Sequence, residues 1–463
     1  MWFYEEGKAL DKSVQKDMMV RLLKEAAQRI TPDIKKVLIL PPDLTRFHSD
    51  AGVLTNDLYH LLGSDCHVDV IPTLGQHVPH TPEENQWMFG DIPNDRIHAH
   101  DWKTSCKKLG EVSAEFVSYA TDGQVNWNIP VEINRAIFDG GYDLIINVGQ
   151  VVPHEVLGFA NHNKNYFIGL GSKAMISNSH MMAGTYGIEN NLGQLITPLR
   201  GCFNVAERDY LGDVPHVYVQ IVKTQDDDGK LITSGLYVGE GVDTYIAAAR
   251  HAREKTIHLF DKPMNKIICH MDAREFKSTW VGNKAVYRTR MAVADGGELI
   301  ILAPGVERFG EQPEVDRMIR KYGYKGTANT LEAYNSDAEL ADLGLAAAHL
   351  LHGSSEGRFK ITYAPGKLKK EEVESVGFSY MDLDEAMAKY NPEKMKDGIN
   401  QIDGEEVYFI NSPSLGLWAA KDKYLAAIKK NLDFAKKMVA KEPEEKIWKL
   451  LEEIDIEDIE RFA

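Results

Sequence analysis

Three short apolar runs in this 463-residue chain lead straight into polar loops that carry groups able to move protons and hold anions. Leu38-Ile39-Leu40 runs into Pro41-Pro42-Asp43-Leu44-Thr45-Arg46. Val70-Ile71-Pro72 runs into Thr73-Leu74-Gly75-Gln76-His77-Val78-Pro79-His80, and Ile145-Ile146-Asn147 into Val148-Gly149-Gln150-Val151-Val152-Pro153-His154. An imidazole exchanges protons near neutral pH, and a guanidinium fork fits a carboxylate. If the runs are neighbouring strands of one open sheet, their carboxyl ends form the ligand-binding edge, and Asp43, Arg46, His77 and His154 meet there. Taken singly, each of these residues also suits an ordinary structural turn.

Beyond His154 comes a segment punctuated by glycine: Gly158, then Asn161-His162-Asn163-Lys164, then Gly169 and Gly171, and His180 after Ser179. Glycine lets backbone approach a phosphate or metal closely while His and Lys supply donors, although a buried structural loop reads the same way. Neither a Walker A motif nor the dinucleotide glycine fingerprint is present.

The elements that must position these groups alternate in type. Strands are expected at Lys36 to Leu40, Val68 to Thr73, Asp143 to Val148, Lys266 to His270, Glu298 to Ala303, Arg358 to Tyr363 and Glu406 to Asn411. Helical spacing marks Val14 to Ile30, Val242 to Phe260, Ala338 to His352 and Lys421 to Ala440. The expected fold is α/β with two domains, each a mainly parallel or mixed sheet flanked by helices, and an active site in the cleft between them. Asp261-Lys262-Pro263 marks the boundary, giving an N-terminal catalytic and cofactor-binding domain at 1–260, a C-terminal α/β domain at 261–440, and a terminal helical segment at 441–463 that packs on a domain.

The formal charge of −16 opposes binding to nucleic acid or an anionic membrane surface, so an anionic small substrate requires local cations. Four scattered cysteines form no C-x-x-C pair, which argues against a disulfide framework or thiolate zinc site. No signal peptide or membrane span is read at Met1 to Glu6, and a cytoplasmic location is expected.

In order, Asp43-x-Thr45-Arg46, Gly75-x-His77-x-Pro79-x-Thr81 with Glu83 and Glu84, and Pro153-His154 resemble the nickel-pincer-nucleotide lactate racemase family. So do Lys164 ten positions after His154, and His180 sixteen after Lys164. The motifs cover about the first 210 residues, with a weaker likeness at Trp280, Lys284 and Gly296-Gly297-Glu298. The resemblance implies an isomerase, a racemase or epimerase of a 2-hydroxy acid. Its cofactor would be a nickel adduct of a pyridinium-3,5-bisthiocarboxylic acid mononucleotide, joined covalently to Lys164, with His180 as the protein ligand to nickel. Asp43, Thr45 and Gly158 would help bind that cofactor. His77 and His154 would be alternating acid and base, and Arg46, Lys284 and Trp280 would bind substrate. The implied partners are a small anionic 2-hydroxy acid and the enzymes that make the cofactor.

The chain departs from the family where a Ser-Gly-Gly-Arg stretch becomes Ala160-Asn161-His162-Asn163, and where Trp280 replaces a tyrosine. Extra polar groups at Asn161, His162 and Asn163 suggest hydroxyls on a longer substrate, such as a sugar acid. Two other readings compete with the racemase. One is a zinc-dependent hydrolase using His77, His80, His154 and His162 or His180, and the other is a binding homologue without the cofactor.

Overall fold

A computed structural model describes residues 1–226, 229–414, 416–442 and 445–462. The chain forms two compact units: Met1–Ser179 with Leu195–Thr256, and His180–Gln194 with Ile257–Ala463.

The first unit is built on a six-stranded mixed sheet. Its strands are β1 (Phe3–Glu6), β2 (Lys36–Leu40), β3 (His67–Val70), β4 (Leu144–Gln150), β5 (His216–Gln225) and β6 (Leu231–Gly239), in the order β1-β6-β5-β4-β2-β3. β3, β2, β4 and β5 are parallel, while β6 is antiparallel to both β5 and β1. The central strands are apolar along their length because they are covered on both faces, as parallel sheets require. Val37, Ile39, Val68, Val70, Ile146, Val148, Val217 and Val219 pack against Met18, Met19, Leu22 and Ala26 of helix Lys12–Arg29 and against Leu54 and Leu58 of helix Ala51–Leu62.

The second unit has its own sheet of β7 (Met264–His270), β8 (Val293–Ala303), β9 (Lys360–Pro365), β10 (Ser379–Tyr380), β11 (Gly398–Ile402) and β12 (Glu405–Ile410). Their order is β10-β9-β8-β7-β12-β11, parallel except for the β11–β12 pair. Helix Lys421–Lys441 is followed by helix Lys446–Phe462, where Trp448 packs edge-on against Phe434 with ring centroids 5.7 Å apart.

Two helical expectations differ from the structure. The segment expected as helix through Phe260 ends at Thr256, and Ile257–Phe260 forms a strand parallel to Leu417–Ala420, so ladder hydrogen bonds replace the last helical turn. The expected helix from Ala338 to His352 is two helices, Ala338–Asp342 and Gly344–Gly353, broken at Leu343, whose ψ of 47° lies outside the helical range.

Candidate functional site

Strands β2, β3 and β4 lie side by side, so the three polar loops leave the same edge of the sheet. The first two loops are laced together. Thr73 donates its backbone N–H to Pro41 O at 2.8 Å, and Leu44 donates its own to His80 Nε2 at 2.9 Å. The motif residues Thr81 and Glu84 form a capping box that starts helix Pro82–Phe89, with Pro82 in its first turn. That part of the motif sets the exit of the His77 loop, and His80 is spent on the loop contacts of Leu44 and Asn85.

The chemistry gathers around Asp43. Its Oδ2 accepts a short hydrogen bond from His77 Nδ1, and its Oδ1 accepts from the Thr45 hydroxyl at 2.6 Å. Burial alone would raise the Asp43 carboxyl, but His77, Thr45 and Arg46 together hold it well below the usual carboxylate range. An ionised carboxylate only accepts hydrogen bonds, so the neutral His77 ring carries its proton on Nδ1 and presents Nε2 as a base. His77 is about half exposed, as a proton-exchanging group needs to be.

His154 is assigned the opposite tautomer by its neighbours. It sits in a two-residue antiparallel pairing, Pro153–His154 against Gly158–Phe159, which Gly158 closes with a φ of 80°. The Val156 N–H donates to His154 Nδ1 at 3.2 Å, which places the proton of the neutral ring on Nε2. One histidine is thereby arranged as acceptor at Nε2 and the other as donor.

Lys164 stands at the head of a single π-helical turn, Asn165–Gly169, a rare geometry that is frequent at functional sites. The turn is tied to the His77 loop, since Gly75 donates its N–H to Gly169 O at 2.8 Å. A Cβ on Gly169 would come within 2.5 Å of Thr73 Cβ. Burial and the nearby Arg46 guanidinium push the Lys164 amine down to about 8, with Arg200 adding to the effect and Glu155 and Asp43 opposing it.

Asn161, His162 and Asn163 are buried and turned into the unit, so the reading of them as groups for substrate hydroxyls loses its support. The Asn161 amide donates to Gly149 O at 2.9 Å, Val219 O at 3.2 Å and Gln220 Oε1 at 2.7 Å. The His162 ring stacks on Tyr218 with centroids 3.9 Å apart, and Asn163 binds Asn204 and Glu207. Asn161 and His162 both hold left-handed φ, 69° and 60°, at the positions where the related motif has glycines.

His180, Trp280 and Lys284 belong to the second unit. His180 lies half-buried on helix Lys173–Tyr186. Trp280 stacks on His349 at 4.3 Å, and the His349 ring is bonded on both nitrogens, by Tyr287 at 2.7 Å and Tyr324 at 2.8 Å. Lys284 Nζ lies 3.6 Å from Glu275 Oε1. Among the described residues, no group of three or more His, Cys, Asp or Glu side chains could hold a metal ion.

Residues 4–189 match the lactate racemase N-terminal domain. That match covers the N-terminal part of the chain, the part that carries Asp43, His77, His154, Lys164 and His180. Its fold is similar to that of a protein from Thermotoga maritima, at 23% identity and a TM-score of 0.74, over 90% of this chain and 100% of that one. It is also similar to the lactate racemase apoprotein from Thermoanaerobacterium thermosaccharolyticum, at 16% identity and a TM-score of 0.65, over 87% of this chain and 92% of that one. No curated protein matches by sequence.

Three residues around the Lys164 loop do not stand out in the sequence: Glu155, Arg200 and Glu207. Glu155 has the clearest signal, since it directly follows the motif histidine. Arg200 and Glu207 carry a weaker one, two charged residues seven apart, hence on one face of an amphipathic helix.

Proposed function

We propose that this protein racemises or epimerises a small 2-hydroxy acid, using a nickel-pincer nucleotide tethered at Lys164 and ligated by His180. The observation that carries the reading is the Asp43–His77 hydrogen bond beside Arg46 and a lysine amine lowered to about 8. The residues fit such a group. At pH 7 about a tenth of a pKa-8 amine is unprotonated, far more than of an ordinary lysine, which suits it to attack on an acyl carbon. A metal carried by sulfur and carbon donors of a nucleotide needs one imidazole from the chain rather than a cluster, and imidazole with soft donors suits square-planar Ni(II).

When bound, that group supplies a reversible acceptor for hydride from the substrate α-carbon. Arg46 holds the substrate carboxylate through its planar fork. His77 takes the hydroxyl proton at Nε2 while Asp43 steadies the imidazolium, as the orienting carboxylate does in acid–base triads. Loss of both hydrogens would leave a planar 2-keto acid with two open faces, so the residues on each side decide which isomer is protonated. His154, acting as the imidazolium, returns a proton to the oxygen on the opposite side and is left as the neutral ring, and the roles reverse for the other isomer. Lys284 and Trp280 are the further substrate-binding residues that the family resemblance implies.

The test is to express the protein with the cofactor-synthesis enzymes, record its intact mass, and follow stereochemistry with lactate, malate and sugar acids. An adduct of nucleotide mass at Lys164 with stereochemical turnover is the expected result. An unmodified, inactive chain containing zinc would favour the hydrolase instead.

A further inference from the structure

The loop that ends at Lys164 is gripped from behind by one helix. Arg200, in the first turn of helix Pro198–Leu211, is buried, and its guanidinium donates to Phe159 O at 2.6 Å, Asn161 O at 3.3 Å and Asn163 Oδ1 at 2.5 Å. It lies over the Tyr245 ring, 4.2 Å from the centroid. Two turns on, Glu207 accepts from Asn163 Nδ2 at 2.9 Å. Glu207 is itself fixed by the Tyr218 hydroxyl and by His216 Nε2 at 3.5 Å. Asn163, the residue before Lys164, is therefore held at its amide oxygen by a cation and at its amide nitrogen by an anion.

This arrangement answers a backbone problem. Left-handed backbone at two successive residues with side chains is unfavourable by roughly 1–2 kcal/mol each and persists only where the surroundings over-determine it. Arg200 binds the carbonyls on either side of that pair's start, and a planar fork with several fixed donors does this better than a lysine point charge.

We propose that Arg200 and Glu207 are positioning residues that clamp the 159–164 loop and so fix where the Lys164 amine is presented and how dry it is. The inference rests on Lys164 being the functional lysine proposed above. Four charged groups act on that amine: Arg46 and Arg200 as cations, Glu155 and Asp43 as anions. Loss of the clamp removes one cation and admits water, and both changes favour the protonated amine.

The test uses the full chain without cofactor. Lysines are acetylated in brief pulses across a pH series, and modification of Lys164 is read by peptide mass spectrometry against the exposed Lys35. In Arg200→Gln the Lys164 midpoint is expected to move up by about half a pH unit or more, with a smaller move in Arg200→Lys, which keeps the charge and loses the fork. Asn163→Ala, which cuts the shared link, is expected to move it in the same direction and decides between the outcomes if Arg200→Gln does not fold. A midpoint unmoved in the folded variants, or moved equally at Lys35, overturns the clamp. A shifted midpoint in the variants with no nucleotide adduct on the unsubstituted chain upholds the clamp and overturns the tether instead.

Discussion

His77 Nδ1 donates to Asp43 Oδ2, joining the loop after β3 to the loop after β2. Because several partners hold the Asp43 carboxyl well below its ordinary range, the carboxylate remains an acceptor for His77 well into acid. Asp43→Asn is expected to lower kcat of the cofactor-loaded enzyme by about 10²–10⁴-fold, since an amide oxygen cannot stabilise the imidazolium as a carboxylate does. KM should change little, because Arg46 remains. Steady-state kinetics with circular dichroism check this, and a loss confined to KM would contradict the orienting role.

Lys164 makes the ligand-free protein less stable than it need be. Its amine titrates at about 8 in the folded state against an ordinary 10.5. Between those values the unfolded chain binds the proton that the folded chain has released, so stability rises with pH across that window and the whole penalty applies below 8. Lys164→Met is expected to stabilise the apo protein by about 1–2 kcal/mol at pH 7, after allowance for partial solvent screening. The gain should fade towards pH 10, which urea melts at several pH values will read.

Acid should loosen the region behind the lysine. Burial, with Arg200 and His216, pushes the His162 ring down to about 4 despite the opposing Glu207 charge. As pH falls below 6.5 the unfolded chain therefore takes up a proton that the folded one refuses until about 4, and stability drops across that window. His162→Phe, which keeps a ring on Tyr218, is expected to flatten this part of the pH–stability curve. An unchanged slope between pH 6.5 and 4 in thermal melts would count against a neutral buried ring.

Asn161 separates two costs. Asn161→Ala and Asn161→Gly both remove the bonds to Gly149, Val219 and Gln220, but only alanine must also hold a φ near 69°. Alanine is expected to cost about 3–5 kcal/mol and glycine about 1 kcal/mol less, the difference being the backbone contribution. Equal losses in chemical denaturation would mean that the loop relaxes out of the left-handed region.

Much of the site's scaffold was legible from local signals. The apolar run Lys36 to Leu40 is a strand over those same residues, and the polar loops do leave one edge of one sheet. Partnership was not legible. Asp43 and His77 lie 34 residues apart on different loops, so their hydrogen bond depends on β2 and β3 being neighbours, which is a property of sheet order. Side-chain direction was equally hidden. Asn161, His162 and Asn163 look like a polar pocket wall in one dimension, yet two left-handed residues turn the loop so that these groups meet the sheet and helix Pro198–Leu211. The edge strand Ile257–Phe260 exists through its pairing with Leu417–Ala420, far along the chain, and so read locally as the end of a helix.

The doubly held loop at 159–164 has a calorimetric consequence. A loop held in advance by Arg200, Asn161 and Asn163 would leave little chain to order on binding of the nucleotide proposed above. Association should then be a simple second-order process without a lag. It should show only the modest negative heat-capacity change of covering a preformed surface, without the large one that accompanies coupled folding.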